Sequence, residues 1–477
     1  MRRHSKQLLP QPLPQVLPLV LCVFALGSWC APERGYAGDD SSRLSLLPAD
    51  PIREKYVKEA LAGNLALRQR HLSVEEAATV LAQARAQFFP SVNLEARASE
   101  RYGNVLDFGP LVNPAYRQLN DLAGQQLFPT DIHLALPFKR ETKVVVTQPL
   151  LAPGLVAQYA LRRDQATSEQ VGWEVLARQV RADVQTAYFQ HGRAVRLEAL
   201  LGETRKLLEE VLRVSTLLVK EGKVTEDAVF RARAELSGLD VQRDQATDAV
   251  AASRHYLNFL CNAPLDQPVP TPGTVAVPEA LPVGEDAAVS RGDNRHELTA
   301  VAAGQRAASA AAALARSAYL PTLGAVAEYG FQGDRYDFSP DKDYLILSLV
   351  LRWNLWNGLG DRARVRQAEL QQAKLSLAQQ ELRQQIAMQV RQAWRAADSA
   401  RRAIAQVHDR MVSSESAYEI VSRKYAAGGA PAVDLLEART TRTRAEVDQI
   451  FANYDFAIRL VELERVAALD DGSTPMP

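Results

Sequence analysis

Helical and alternating hydrophobic patterns follow one another along the chain, and this succession occurs twice. Residues from about 51 to 88 are rich in Ala, Leu, Glu, Gln and Arg at helical spacing, and Pro90 ends the predicted helix. The following residues alternate between apolar and polar, which predicts a strand over about 91–101. One face of this strand carries Val92, Leu94, Ala96 and Ala98, and the other carries Asn93, Glu95, Arg97 and Ser99.

A second strand and a very long helix complete the first unit. β-branched residues over about 142–148 predict the strand, and Pro149 stops it. The helical region that begins near Leu155 contains no proline before Pro264, and only the stretch near Gly222 has turn character. A helix over 155–219 would be on the order of 100 Å long. Its heptad-like seam predicts packing against another helix and consists of Leu200, Leu207, Val211, Val214 and Leu218.

The same order of elements returns after a proline-rich stretch. We predict a helix over about 295–320, strands over about 322–331 and 344–353, and long helices from the turn at 357–360 to about residue 469. The apolar face of the first strand is Leu323, Ala325, Ala327, Tyr329 and Phe331, opposite Gly324, Glu328 and Gly330. The apolar face of the second strand is Leu345, Leu347, Leu349, Leu351 and Trp353, opposite Tyr344, Ile346, Ser348, Val350 and Arg352.

Short motifs in the two units match in the same order, which indicates a duplicated fold unit. AQFFPSV is echoed by SAYLPTL, VQTAYFQ by VRQAWRA, and EGKVTEDAVFRARAE by the stretch that follows Tyr425. In the last pair Gly222 corresponds to Gly429, and Asp227 corresponds to Asp434. The predicted organisation is a signal peptide (1–37), repeat one (38–265), a proline-rich linker (266–290), repeat two (291–469) and a tail (470–477).

The first residues have the pattern of an export signal. Basic residues precede an apolar run over about 16–29, and Gly35-Tyr36-Ala37 offers small residues for cleavage. Cys30 is a candidate for lipidation, although the preceding Trp29 is a poor residue for that processing step. Cleavage after Ala37 would leave Cys261 as the sole cysteine, so we expect no internal disulfide.

The predicted strands have the length and pattern of membrane strands. Each spans about ten residues, which is enough for a tilted transmembrane β-strand. The aromatic residues at the strand ends predict positions at the membrane interface: Tyr329, Phe331, Tyr344, Trp353 and Trp356. A soluble sheet buried against helices remains the alternative for any single strand. Four strands are too few to close a barrel, so the membrane hypothesis requires several chains to pool their strands.

Charge and candidate chemistry exclude several functions. The 477 residues carry a formal net charge of +0, which argues against a general nucleic-acid binder. The seven histidines are scattered without metal-ligand spacing, so we expect no metal site and no cofactor. Gly428-Gly429 follows a helix and lacks the lysine and hydroxyl of a phosphate-binding loop. We therefore predict that the protein is not an enzyme.

The ordered, duplicated series of motifs resembles the TolC family of bacterial outer-membrane efflux and secretion channels. The series comprises AQFFPSV, VTQPLLAPG, VQTAYF and EGKVTED in repeat one, and AYLPTL, LRWNLWNGLG, VRQAW and KYAAGGAPAVDLLEART in repeat two. The resemblance implies a homotrimer whose β-barrel takes four strands from each chain and continues into a coiled-coil helical tunnel across the periplasm. It also implies a periplasmic adaptor and an inner-membrane pump as partners, although the sequence names neither the cargo nor the pump class.

The resemblance further implies a periplasmic aperture at the last long turn. Its positions match Tyr425, Gly428, Asp434 and Glu437, and Gly429 lies in the same turn. With threefold symmetry the two acids would form two rings of carboxylates, a constriction that prefers cations. Acids in a first helical turn also favour the helix dipole, and we prefer this structural role for Asp227 in repeat one.

Two questions about the aperture and the function stay open at this stage. Related channels often carry a basic residue where this chain has Ala430, so the closing contact would have to come from Arg423, Lys424 or Arg439. The alternative function is a soluble periplasmic coiled-coil adaptor or scaffold, which would account for the long helices but not for the four amphipathic strands.

Overall fold

The structure is a computed structural model, which describes residues 46–100, 102, 106–132, 135–136, 138–271, 273, 277–427 and 429–469. The predicted signal peptide, Cys30, Gly428 and the predicted tail lie outside these residues. The described chain is mainly helical with one antiparallel four-stranded sheet, which confirms the predicted fold class.

Both halves of the chain follow the plan of helix, strand, strand and long helices. The first half contains α1 (Pro51–Gly63), α2 (Leu65–Ala86), β1 (Ser91–Ala98), β2 (Leu106–Asp107), α3 (Gly109–Ala123), β3 (Ala135–Leu136), β4 (Arg140–Leu151), α4 (Pro153–Lys220) and α5 (Asp227–Leu260). The second half contains α6 (Glu285–Gly292), α7 (His296–Ser317), β5 (Thr322–Gly333), β6 (Asp343–Arg352), α8 (Gly360–Ala426) and α9 (Ala432–Val466).

Two stretches contain more structure than their sequence patterns predict. The helix expected over 51–88 is broken at Asn64, whose extended backbone and side-chain oxygen cap α2 through the amides of Ala66 and Leu67. The irregular stretch between β1 and β4 contains α3 and the short β2–β3 pair. In this insert, Asn113 exchanges two hydrogen bonds with the main chain of Ile132, at 2.9 and 2.8 Å.

The long helices pack side by side in a fixed order. The first half of α4 contacts α2 and α7, since Gly172 lies against Arg70 and Gly154 lies against Ser317. The second half of α4 contacts α5 and α9. In the same way α8 packs first on α7 and then on α9. The row is therefore α2–α4–α7–α8 near the sheet and α5–α4–α9–α8 near the turns. No helix within the described ranges is both long and apolar enough to cross a lipid bilayer.

The main hydrophobic core lies where the middle of α4 meets α1, α6, α8 and the ends of α5 and α9. Its largest fully buried side chains include Trp173, Tyr188, Leu257, Val390, Phe456 and Leu460. A smaller cluster near the turns joins the two repeats and consists of Leu201, Leu208, Leu239, Ala246 and Leu436.

The packing seam of α4 differs in part from the predicted one. Leu201 and Leu208 are buried within the chain, and Val211 of the predicted seam packs against the same cluster, whereas Leu207 of the predicted seam is exposed. The physical reason is that α4 lies between α5 and α9 and uses more than one stripe of its surface. A single heptad seam describes a helix with one partner.

Candidate functional site

The four-stranded sheet, in the order β1–β4–β5–β6, has one face made mostly of apolar side chains. Residues directly opposite one another on antiparallel strands point to the same side, so the register assigns the faces. Two rows on this side are Leu94–Val144–Tyr329–Leu345 and Val92–Val146–Ala327–Leu347. The apolar face is not covered by the rest of the chain, because Leu347 and Leu349 are 74% and 72% exposed. An uncovered apolar sheet face of this kind suits contact with lipid.

The opposite face of the sheet carries cross-strand ion pairs. Lys143 on β4 lies 2.8 Å from the carboxylate of Glu328 on β5 and 3.8 Å from that of Glu95 on β1. Towards the outer ends of the strands, Arg97 lies 3.0 Å from Glu141. The two faces therefore differ in chemistry, as expected for a sheet that separates lipid from water.

A glycine opposite Lys143 makes room for this network. Gly330 pairs directly with Lys143, and a Cβ atom at Gly330 would lie 2.5 Å from the Lys143 Cβ and 2.6 Å from the Thr142 carbonyl oxygen. The sequence placed Gly330 on the polar face but gave no sign of its partner, because the register of β4 against β5 is set across a long stretch of chain.

The two outer strands of the sheet each have one open edge. β1 pairs only with β4 and β6 pairs only with β5 among the described strands. An open edge leaves main-chain amides and carbonyls unpaired, and in hydrocarbon each unpaired group costs several kcal/mol. The edges therefore need strands from other chains if the sheet lies in a membrane.

The predicted interface aromatics fall on both faces. Tyr329 and Phe331 lie on the apolar face and pack edge to face, with ring centroids 5.8 Å apart. Trp353 and Trp356 follow β6 and are exposed. Tyr344 lies on the polar face instead, where its hydroxyl donates to Glu141 at 2.8 Å. Tyr344 therefore belongs to the ion-pair network of the polar face, as its place in the alternation of β6 predicts, and its position at the membrane interface stays a prediction.

The two turns between long helices end their first helices with the same hydrogen bond. The Lys223 amide donates to the Leu218 carbonyl, and the Gly429 amide donates to the Lys424 carbonyl, at 2.9 and 2.8 Å. Judged by this hydrogen bond, Gly429 is structurally equivalent to Lys223. The sequence match had instead aligned Gly429 with Gly222, one residue earlier. Gly222 itself has a left-handed φ of 66°, which favours glycine.

The acids of the two turns have different surroundings. Asp227 accepts a hydrogen bond from the Thr225 hydroxyl and lies 3.5 Å from Arg231. Neighbouring residues of repeat one therefore already bind its carboxylate. Asp434 and Glu437 are exposed one turn apart on α9, and within the described part of the chain no cation lies within ion-pair distance of either. Tyr425 is half-buried nearby, and its hydroxyl has no hydrogen-bond partner among the described residues.

The three candidate basic residues of the turn also differ in their surroundings. Arg423 is exposed and pairs with Glu419 of its own helix, at 3.4 Å, and Lys424 is exposed. Arg439 is 5% exposed and donates to the main-chain carbonyl of Thr204 on α4. Of the three, Arg439 makes a contact between the two repeats.

Candidate metal and thiol chemistry is limited in the described ranges. No group of three or more His, Cys, Asp or Glu side chains there has the arrangement of a metal site. Cys261 is buried and burial raises the pKa of its thiol to about 11, with the nearby Glu59 adding to the effect. A thiol of this kind is mostly protonated at neutral pH and is a weak nucleophile.

Comparisons with known proteins agree with this geometry. Residues 292–468 match the family of outer membrane efflux proteins. A comparison with curated protein sequences found no match.

Several solved structures share the fold across most of the chain. A membrane protein from Pseudomonas aeruginosa is 19% identical with a TM-score of 0.77, and the alignment covers 90% of this chain and 95% of that one. The CmeC outer membrane channel of Campylobacter jejuni is 17% identical with a TM-score of 0.75, over 91% and 90%. The MtrE outer membrane channel of Neisseria gonorrhoeae, in its open state, is 19% identical with a TM-score of 0.72, over 90% and 93%. Residues 292–468 thus match the outer membrane efflux protein family, and the chain as a whole shares the fold of these solved outer-membrane proteins.

Proposed function

We propose that three copies of this chain form a passive exit duct of an efflux or type I secretion system. The sheet of each copy lies in the outer membrane, and the helices extend from it into the periplasm. Substrate enters at the turns near Gly222 and Gly429 and leaves through the barrel. The transport energy would come from a pump in the inner membrane, as the resemblance to efflux channels implies.

The observation that carries this proposal is the uncovered apolar face of the four-stranded sheet. A sheet with this face and two open edges is unstable as a single copy in lipid. The row of helices near the sheet is open on the same two sides. Its outer helices are α2, which precedes the edge strand β1, and α8, which follows the edge strand β6. Each copy can therefore place its α8 and β6 side against the α2 and β1 side of the next. Such head-to-tail contacts close into a ring by rotation.

The aperture of the duct is proposed at the turn between α8 and α9. The exposed carboxylates of Asp434 and Glu437 would meet their symmetry copies near the threefold axis. Two rings of carboxylates at a narrow point attract cations and repel anions. Asp227 of repeat one is held by Thr225 and Arg231, which supports a structural role for it.

The proposed partners are a periplasmic adaptor and an inner-membrane pump. They follow from the resemblance to efflux channels, and an adaptor would meet the duct at the helical turns. The alternative, a soluble coiled-coil scaffold, is disfavoured because it has no use for an uncovered apolar sheet with a polar opposite face.

Planar-bilayer recordings on purified trimers test the function and the aperture together. We expect the native protein to conduct, with a reversal potential in a salt gradient that shows preference for cations. The combined variant Asp434→Asn with Glu437→Gln should shift this reversal potential towards that of a channel that does not discriminate cations from anions, because the rings lose their charge.

The matched control is the combined variant Glu226→Gln with Asp227→Asn in repeat one, which should leave the reversal potential unchanged. Protein that stays in the aqueous fraction and never conducts would contradict the exit-duct proposal. Equal shifts from both pairs of substitutions would contradict the aperture assignment alone.

A further inference from the structure

A cavity of about 330 Å³ lies between the second halves of α4 and α9. Its lining includes Arg196, Leu200 and Glu203 of α4 and Ile450, Asn453 and Tyr454 of α9. None of the residues proposed for the aperture or for the sheet contributes to it. A cavity of this volume is large enough for a small molecule.

Helical spacing gives the cavity two unlike ends. Arg196, Leu200 and Glu203 lie at positions i, i+4 and i+7 and so share one face of α4. Seven residues of helix place Arg196 and Glu203 about 10 Å apart along the axis. The apolar Leu200 lies between them, and Ile450 lines the cavity from α9. The cavity therefore has a cation at one end, an anion at the other and an apolar middle.

The hydroxyl of Tyr454 is a buried polar group at the arginine end. Tyr454 is 5% exposed, and its hydroxyl makes no hydrogen bond with any residue that the structure describes. Burial raises the pKa of Tyr454, and Arg196, which faces the hydroxyl without the geometry of a hydrogen bond, opposes this effect. A hydroxyl and a guanidinium that face the same space can both donate to one anionic group.

The chain does not neutralise the two charged ends of the cavity. Within the described ranges no carboxylate lies within ion-pair distance of Arg196, and no cation lies within that distance of Glu203. By contrast Arg193, about one turn earlier on α4, lies over the Phe451 ring. Single exposed charges are common on protein surfaces, but these two flank a cavity that also contains a buried hydroxyl without a partner. That combination indicates a site for a ligand.

We propose that this cavity binds a small, elongated zwitterion with an apolar middle. The anionic group of the ligand accepts hydrogen bonds from Arg196 and Tyr454, and its ammonium group lies at Glu203. The methylenes between the two groups contact Leu200 and Ile450. An ω-amino acid has this chemistry. The proposal goes beyond the proposed function and does not depend on whether the protein conducts.

The first test compares three probes on purified protein in detergent: ε-aminocaproate, caproate and hexylamine. Each is titrated calorimetrically, and the heat of a protein-free detergent sample is subtracted. We expect saturable binding of ε-aminocaproate, and binding about tenfold weaker for each of the other two, because each lacks one charged group. No saturable binding of ε-aminocaproate, or equal affinity for the three probes, would overturn the proposal.

Three substitutions that nearly preserve side-chain size assign the contacts. Arg196→Gln and Tyr454→Phe should each weaken binding of ε-aminocaproate about tenfold, because each removes a donor to its carboxylate. Glu203→Gln should remove the preference for ε-aminocaproate over caproate, and its affinity for caproate should be at least that of the native protein. Thermal unfolding of each variant verifies that it is folded. Folded variants that keep native affinities for both probes would contradict the site.

Arg193 is the matched control, because it is an arginine of α4 that lies over Phe451 and does not line the cavity. Arg193→Gln should bind ε-aminocaproate with native affinity. An equal loss of affinity in Arg193→Gln and Arg196→Gln would mean that the general loss of positive charge accounts for the effect, and would overturn the site. Native protein that binds the zwitterion but never conducts would support the site and contradict the exit duct alone.

Discussion

Cross-strand pairs on the polar face show what single residues contribute to the sheet. The alternation of the sequence placed Glu95, Arg97 and Glu328 on the polar sides of their strands. It could not pair Lys143 with Glu328 or Arg97 with Glu141, because those contacts depend on which strands become neighbours. The Lys143–Glu328 pair joins strands from the two repeats, so that register is a property of the folded chain.

Gly330 provides a test of this network at the residue scale. A Cβ at position 330 would lie 2.5 Å from the Lys143 Cβ and 2.6 Å from a main-chain oxygen, so either β4 or Lys143 must move. We expect Gly330→Ala to destabilise the protein by about 1–3 kcal/mol, as overpacking does. Urea or heat denaturation of the purified protein measures this change.

Gly324 is the matched control for Gly330. It lies on the same face of β5, where a Cβ would be 3.6 Å from the Gln148 carbonyl oxygen, an ordinary contact. Gly324→Ala should therefore be close to neutral. Equal free energies of unfolding of the two variants would show that the sheet does not need a residue without a Cβ atom opposite Lys143.

At the scale of the elements, the sequence predicted the long helices and the four strands of the main sheet but missed details that depend on neighbours. The predicted seam of α4 was displaced because two partner helices share that helix. The break before α2 was missed because the sequence pattern around Asn64 also fits a continuous helix. In the structure the Asn64 side chain caps α2. The α3 insert was missed because its short helix contains Pro114, and prolines inside a run argue against a helix.

The apolar side of β6 gives a prediction about a whole strand. Leu347 and Ser348 are adjacent, but Leu347 lies on the apolar face and Ser348 on the polar face. Leu347→Arg should cost about 2–4 kcal/mol in the middle of a bilayer, whereas Ser348→Arg should be tolerated in a water-filled lumen. The measurement is the yield of folded protein in the outer-membrane fraction. Equal loss for both substitutions would mean that β6 does not separate lipid from water.

At the scale of the whole molecule, the sequence indicated the need for oligomerisation, and the structure adds which sides must meet. The proposed aperture residues come from the resemblance, at one turn of repeat two, and their role stays a prediction. The contact of Arg439 with α4 could not be predicted from sequence, because it depends on how repeat two packs against repeat one. The open sides of the sheet and of the helical row coincide, so one head-to-tail contact can close both layers.

The most direct test of the central claim is an electron cryo-microscopy reconstruction of the protein in lipid nanodiscs. We predict three copies around a threefold axis, with β6 of each copy paired to β1 of the next. The face that carries Leu345, Leu347 and Leu349 should contact lipid, and the turns that carry Asp434 and Glu437 should surround the axis at the far end of the helices. A single copy, or an assembly in which the apolar sheet face is buried between proteins away from lipid, would contradict the account.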